Sequence, residues 1–217
     1  NPGVLNKAFY KTARRWLTHR WFITGVLILL IGLILLPAGL VFSVNSGLIT
    51  HIPSQEELKN IRNHEASSLI SADGIILGKY FIYDRTPIKL ENVPDYLVHA
   101  LIATEDSRFY SHQGIDYQSM LRVLVKTIFL GDRSAGGGST LSQQLAKNLF
   151  GRNHNGWFSI PVFKVREMVI ARDLETLYNK EEILELYFNT VPFGENVFGI
   201  ESAAQRFFRK SASQLSI

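Results

Sequence analysis

The chain has 217 residues, of which 46% are hydrophobic, with no cysteine and a formal net charge of +4. The lack of cysteine excludes disulfide bonds and thiolate zinc sites. Five of the 23 basic residues lie in the first 20 positions, which hold no acidic residue, so 18 basic residues face 19 acidic ones in the remainder. The net positive charge therefore belongs to a short N-terminal tail and gives no indication of nucleic-acid binding.

A membrane anchor is predicted directly after this tail. Residues 21–42 contain no charged side chain over 22 positions and consist mainly of Leu and Ile. About 20 apolar residues span a bilayer as a helix, so we expect one transmembrane helix. The basic tail, 1–20, favours a cytoplasmic N-terminus, with everything after about residue 43 outside. A cleaved signal peptide is the alternative, although its apolar core is usually shorter, about 7–15 residues.

The segment after the anchor is predicted to be a polar connector, 43–66, with a short helix around 55–62. An Asp-Gly pair at 73–74 then separates two apolar, β-prone runs, 67–71 and 75–83. This pattern is a strong local signal for a β-hairpin.

From Pro94 onward the apolar residues recur at helical spacing. Pro94 suits a first helical turn, Asp116 suits an N-cap, and Ser139 or Thr140 suits another. We therefore expect helices over 94–105, 117–130, from about 140, 161–178, 180–189 and 199–208. The predicted fold class is mainly α, with a small β-hairpin element and one preceding transmembrane helix.

The first chemical motif runs from Glu105 to Gly114 and follows the apolar run 97–103. It combines an acidic pair, an aromatic residue, a histidine and a glycine. Burial of the run would place Glu105 at a helix end beside a turn. A buried carboxylate can work as a general base, because burial raises its pKa toward the working pH. Most Glu-Asp pairs are solvated helix ends, so this motif alone is a weak signal.

A second motif, read together with the first, gives a specific signal. Residues 136–148 read Gly-Gly-Gly-Ser-Thr-Leu-Ser-Gln-Gln-Leu-Ala-Lys-Asn, and backbone amides at a helix start attract phosphate oxygens. Together the two motifs resemble the peptidoglycan glycosyltransferases, the transglycosylase domains of class A penicillin-binding proteins and their monofunctional relatives. Three more blocks of that family follow in order, at 163–167, 180–194 and 199–204. The resemblance covers about residues 68–217.

The resemblance implies a lysozyme-like helical domain with a second lobe half sunk in the membrane. It places the glycosyltransferase domain at 67–217, which we expect to be incomplete at its C-terminus. The implied reaction polymerises lipid II, a lipid-linked disaccharide-peptide, with inversion at the anomeric carbon and release of undecaprenyl pyrophosphate. The implied location is the bacterial inner membrane, with the domain on its outer face. The implied partners are lipid II and the growing glycan strand, and other cell-wall synthesis proteins are further candidates.

The resemblance also assigns the site. Glu105 would be the general base and Asp106 would orient it or its neighbours. Gln143, Gln144 and Lys147 can share one helix face, and Lys147 would pair with the pyrophosphate. The implied site residues are Glu105 and Glu167 as catalytic carboxylates, with Asp106, Ser139, Thr140, Gln143, Gln144, Lys147, Lys164 and Arg166 as substrate-binding residues.

The third block departs from the family pattern, because Phe163 stands where the family usually has Arg. One phosphate contact is therefore in doubt, and Arg166 or Arg152 is a candidate to replace it. Glu167 would assist the leaving group or hold a divalent cation, Mg²⁺ or Mn²⁺, near the pyrophosphate, and no organic cofactor is expected. A plain helix salt bridge between Lys164 and Glu167 is the alternative.

The sequence alone is compatible with two other functions. A membrane-anchored lytic hydrolase would also use one glutamate, but it has no pyrophosphate for a Gln-Gln-x-x-Lys element to hold. A non-catalytic cell-wall scaffold is indicated only by Phe163. The sequence leaves undecided whether a transpeptidase domain follows Ile217.

Overall fold

The computed structural model describes residues 2–61, 67–81, 83–129, 131, 137–152 and 159–216. The chain divides into two compact units, residues 1–50 and 51–217. The first unit consists mainly of one helix, α1 (Pro2–Asn45), with Pro37 inside it. Its part Trp21–Asn45 is long and apolar enough to cross a membrane, and almost all its side chains from 21 to 42 are exposed. An apolar surface of this kind requires an apolar environment, so α1 is a candidate membrane span.

The second unit is mainly helical, which confirms the predicted fold class. Its helices are α2 (Gln55–Lys59), α3 (Asp95–Glu105), α4 (Tyr117–Phe129), α5 (Leu141–Phe150), α6 (Ser159–Leu177), α7 (Lys180–Thr190) and α8 (Ile200–Phe208). Short 3₁₀ turns lie at Leu90–Asn92, Phe109–Ser111 and Ala212–Gln214.

The described residues of the second unit also form two small sheets. The predicted hairpin forms from β1 (Ser67–Ile70) and β2 (Ile76–Tyr80), which pair antiparallel with Ser67 opposite Tyr80. In the other sheet, β5 (Val197–Phe198) is central, pairing in parallel with β3 (Asp84–Arg85) and antiparallel with β4 (Pro192–Gly194). This sheet links the chain before α3 to the turn before α8.

Polar caps fix the helix starts that position the site. Thr140, not Ser139, is the N-cap of α5, and its hydroxyl accepts from the N–H of Gln143. Asn179 starts α7 in a capping box with Glu182. Caps of this kind satisfy N–H groups at the helix start and are each worth about 1 kcal/mol. They explain why the sequence predicted these two helix starts closely.

The hydrophobic core is built on α5, α6 and α7. Leu141 and Leu145 of α5 pack with fully buried side chains of the other two helices and with Phe109. Full burial of such a side chain stabilises the fold by roughly 1.5–3 kcal/mol. The main core side chains are Leu58, Phe109, Leu141, Leu145, Ile170, Leu174, Ile183 and Leu184. The helix that follows the glycine-rich motif is therefore held by core packing along one face.

The apolar stripe of α4 is exposed. Tyr117, Leu121, Leu124 and Val125 retain 67%, 61%, 54% and 41% of their surface. Their spacing places them on one side of the helix. Amphipathic helices normally bury such a stripe, so α4 presents an apolar surface that the described part of the second unit leaves uncovered.

Candidate active site

A cavity of about 470 Å³ lies between the end of α3, the start of α4 and the start of α5. Its walls are mostly polar, because three chain segments present their capping and turn residues to it. The lining residues are Ala103, Thr104, Glu105, Asp106, Ser107, Asp116, Ser119, Arg122, Gly137, Gly138, Ser139, Thr140, Gln144 and Lys147. Six predicted site residues are thus brought to one cavity, namely Glu105, Asp106, Ser139, Thr140, Gln144 and Lys147.

Glu105 is the last residue of α3 and its side chain is exposed. The expectation that it is buried is therefore wrong, since the helix ends at the surface of the cavity and not in the core. Its Oε2 accepts a hydrogen bond of 2.8 Å from Gln144 Nε2. Among the described residues, its other oxygen, Oε1, has no hydrogen-bond partner. The carboxylate is thus held on one side and open on the other.

Asp106 is the buried carboxylate of the pair, with 7% of its surface exposed. Its Oδ2 lies 3.0 Å from His112 Nε2 and accepts from the N–H of Leu141 at 3.0 Å. Leu141 is the first residue of α5, where a negative charge is favoured by the helix dipole. Asp106 therefore ties the first motif to the start of the second.

Gly114 provides a second tie between the two motifs. Its carbonyl accepts from Thr140 Oγ1 at 2.7 Å and from Gln143 Nε2 at 3.3 Å. Gln143 is 1% exposed and does not line the cavity. Gln143 therefore does not share the cavity-facing side of α5 with Gln144 and Lys147, because it is buried on the core side, and its role in substrate binding stays a prediction.

Two lysines lie near the start of α5. Lys147 is exposed at the cavity, and none of the described residues forms an ion pair with it. Lys164 reaches across from α6 and its Nζ donates to Ser139 Oγ at 2.7 Å. Burial lowers the pKa of the Lys164 ammonium, while Glu167 acts in the opposite direction. The start of α5 therefore forms a cationic side of the site.

Glu167 lies buried between two cations. Its Oε1 accepts from Arg152 Nε at 2.6 Å, and its Oε2 lies 3.5 Å from Lys164 Nζ. The hydrogen bond to Glu167 raises the pKa of Arg152. The part of the chain that the structure describes contains no group of three His, Asp or Glu side chains able to hold a metal. A single carboxylate whose two oxygens face cations does not fit a divalent-ion site, so the predicted metal role of Glu167 is not supported.

Arg166 is absent from the cavity lining, and its predicted role in substrate binding stays a prediction. Its Nε donates to the carbonyl of His51 at 2.9 Å and its Nη1 to that of Gly151 at 3.2 Å. The guanidinium also lies 6.0 Å from the ring centre of Phe163. Arg166 braces the chain before α2 and after α5, and Phe163 contributes to this brace.

Several residues of the site were not predicted from the sequence. Arg122 and Ser119 line the cavity from α4. Asp116 caps α4 and forms an ion pair with Arg108. Burial opposes the charged form of Asp116, yet hydrogen bonds from Arg108 and from Ser119 hold the pKa of this carboxyl well below its usual range. The sequence predicts Asp116 as an N-cap, but it carries no signal that the same residue also lines the cavity.

Tyr187 of α7 is the other unpredicted residue. It is 5% exposed, and its hydroxyl donates to Gln144 Oε1 at 3.1 Å. The only signal in the sequence is its place in the fourth family block, which by itself indicates a structural role.

The fold and the cavity define a class of protein. The chain forms a helical domain with an open carboxylate at one helix end, which faces a capped helix start and lysines. Residues 74–217 match the family model described as Transglycosylase. The chain belongs to this transglycosylase family, which confirms the resemblance found in the sequence.

Relatives support the same assignment. Penicillin-binding protein 1A of Escherichia coli strain K12 is 36% identical over 196 residues, which is 90% of this chain and 22% of the relative. Penicillin-binding protein 1F of Bacillus subtilis strain 168 is 36% identical over 159 residues, covering 73% of this chain and 22% of the relative. Penicillin-binding protein 1A of Haemophilus influenzae is 40% identical over 149 residues, covering 69% and 17%. The chain thus spans about a fifth of the length of the curated relatives it matches.

Proposed function

We propose that this chain polymerises lipid II into glycan strands in the cavity between α3, α4 and α5. The 4-hydroxyl of an acceptor sugar attacks the anomeric carbon of a donor, and its proton passes to Glu105. The new C–O bond forms as the bond from that carbon to undecaprenyl pyrophosphate breaks, and the configuration inverts. The observation that carries the proposal is the open carboxylate of Glu105 in the same cavity as Lys147 and the start of α5.

Glu105 suits the role of general base by its geometry. Gln144 holds Oε2 at 2.8 Å, which fixes the direction of the carboxylate. Oε1 stays accessible from the cavity and can accept the proton of the acceptor hydroxyl. A positioned base of this kind typically contributes a factor of about 10² to 10⁴ in rate.

The leaving pyrophosphate requires positive charge and hydrogen-bond donors. Lys147 lies in the cavity wall, and Lys164 lies behind Ser139, to which it donates. The start of α5 adds the favourable end of a helix dipole. Charges placed in advance where negative charge develops lower the barrier without reorganisation during the reaction.

Glu167 supports this cationic side because its carboxylate binds Arg152 and Lys164. It contacts Arg152 at 2.6 Å and Lys164 at 3.5 Å from the buried side. We assign it the task of positioning these two cations for the leaving pyrophosphate.

Access from a bilayer is required because both substrates carry lipid tails. α1 supplies a candidate span, and α4 presents its exposed apolar stripe on the helix that also lines the cavity through Ser119 and Arg122. Apolar side chains on one face of a helix favour the membrane interface. These features support a single-pass protein of the bacterial inner membrane, and the five basic residues before position 21 favour an N-terminus inside and the second unit outside.

The test is the product formed from labelled lipid II. The full-length protein in detergent is incubated with lipid II and the products are separated on a gel. A ladder of growing polymer supports the proposal. A parallel incubation contains preformed glycan in place of lipid II, and shorter products there, without polymer from lipid II, would indicate a lytic enzyme. Lipid II binding without any product would indicate a scaffold. The Phe163 ring centre lies 6.0 Å from the Arg166 guanidinium, which offers a packing explanation for the residue that indicated a scaffold.

A further inference from the structure

Tyr187 connects the core of the second unit to the proposed base. The side chain lies on α7, is 5% exposed and does not line the cavity. Its hydroxyl donates to Gln144 Oε1 at 3.1 Å, and Gln144 Nε2 donates to Glu105 Oε2 at 2.8 Å. Two hydrogen bonds in series therefore run from a buried phenol to the open carboxylate.

The direction of these two bonds follows from the chemistry of the groups. A carboxylate only accepts hydrogen bonds, whereas a glutamine amide has one accepting end and one donating end. Rotation of the amide by 180° would turn the Gln144 oxygen toward Glu105 and lose the hydrogen bond. Glu105, which can only accept, therefore selects the orientation with Gln144 Nε2 toward it, and the Tyr187 hydroxyl, by donating to Oε1 at the other end, holds the amide in that place.

Tyr187 is suited to remain that donor. Burial, reinforced by the negative charge of Glu105, raises the pKa of Tyr187 to about 12. The phenol therefore keeps its proton throughout the neutral range. Its ring packs edge-on against Phe188, with the ring centres 6.5 Å apart, and this contact helps to fix the position of the hydroxyl.

We infer that Tyr187 is a positioning residue for glycosyl transfer, whose hydroxyl fixes the Gln144 amide so that Gln144 holds Glu105 with one oxygen open to the acceptor. The inference rests on the proposed function, in which Glu105 is the base. Tyr187 itself touches neither sugar nor pyrophosphate, and its effect passes through Gln144.

The experiment removes only the hydroxyl. Tyr187→Phe in the full-length protein keeps the ring and its packing, and initial rates are measured over a range of lipid II concentrations in detergent. We expect kcat to fall roughly three- to tenfold, the size of one lost hydrogen bond, with KM changed less than about twofold. Thermal unfolding of the variant is measured alongside.

A double-mutant cycle separates positioning from a general structural effect. Gln144→Ala removes the group through which Tyr187 acts, so Tyr187→Phe should cause no further loss of kcat in that background. A merely structural tyrosine would lower kcat by the same factor in both backgrounds. If Tyr187→Phe does not fold, Gln144→Ala alone still tests the inference, which requires it to lose at least as much kcat as predicted for Tyr187→Phe.

Tyr178→Phe is the matched control. The Tyr178 hydroxyl donates to the carbonyl of Leu58 at 2.7 Å, and this residue is absent from the cavity wall. Its removal should lower stability and leave kcat within about twofold of wild type, since one net hydrogen bond is lost outside the site.

The outcomes distinguish a failure of the inference about Tyr187 from a failure of the proposed function. Wild-type kcat in Tyr187→Phe, or equal losses in both backgrounds of the cycle, would overturn the role of Tyr187. Glu105→Gln is assayed in parallel as the reference. Normal turnover in that variant would overturn the proposed base, whereas an inactive Glu105→Gln beside a fully active Tyr187→Phe would refute the inference alone.

Discussion

Among the glycines that the structure describes, Gly114 is the one where an added methyl group should cost the most stability. Its φ is +80°, and a Cβ there would lie 2.7 Å from the carbonyl carbon and oxygen of Ala171. These are backbone atoms of α6, which cannot rotate away. The positive φ costs a non-glycine residue about 1–2 kcal/mol, and overpacking typically adds about 1–3 kcal/mol. We therefore expect Gly114→Ala to lose about 2–5 kcal/mol of the 5–15 kcal/mol that is usual for a domain.

The assay is urea unfolding of the full-length protein in detergent, followed by far-UV circular dichroism. Gly74→Ala is the control, because Gly74 has a φ of +85° and nothing within 4 Å of its added Cβ. The control isolates the backbone cost, at about 1–2 kcal/mol. Activity of Gly114→Ala should also fall, since the Gly114 carbonyl holds Thr140 at the start of α5. Equal stability losses in the two variants would refute the predicted clash with α6.

Three further predictions concern the site and its supports. Lys147→Ala should raise the Kd for lipid II roughly three- to tenfold, the loss of one charged contact, and an unchanged Kd in a fluorescence titration would make it an ordinary surface lysine. Asp106→Asn should lower stability by about 1–3 kcal/mol, because the charged acceptor shared by His112 and the α5 start is lost; a thermal unfolding curve like that of wild type would contradict this. Asn189→Ala should lower the free energy of unfolding by about 2 kcal/mol, because the Asn189 amide accepts from the N–H of Ile88 and donates to its carbonyl, both at 2.8 Å. Urea unfolding without a shift in midpoint would exclude that role.

The helices were predictable because their starts carry local signals. Thr140 and Asp116 cap helices through bonds to N–H groups within three residues. The Asp-Gly pair at 73–74 likewise forms its hairpin turn. Signals of this kind act between near neighbours in the chain, so they can be found without knowledge of the tertiary structure.

The orientation of side chains around those helices was not predictable to the same degree. Gln143 and Gln144 are neighbours with the same chemistry, yet one is buried against Gly114 and the other faces Glu105. Consecutive helical residues point about 100° apart, so the packing of α5 decides which of them reaches the site. The same holds for Glu105 and Asp106, where the end of α3 leaves the first exposed and buries the second.

Long-range contacts account for the remaining differences. Arg166 was expected at the phosphate site but binds the carbonyl of His51, which lies 115 residues earlier in the chain. The apolar stripe of α4 has helical spacing in the sequence, but spacing does not state whether protein or lipid covers it. Such outcomes depend on what the fold brings alongside each helix.

Single-turnover glycosyl transfer by Glu105→Gln with lipid II in detergent, beside lipid II binding by the same variant, tests the proposed chemistry most directly. Glutamine keeps the size and polarity of the side chain and removes the base. We predict wild-type binding and folding with transfer reduced at least about 10²-fold. Transfer at the wild-type rate would show that another group removes the proton and that the site is wrongly assigned.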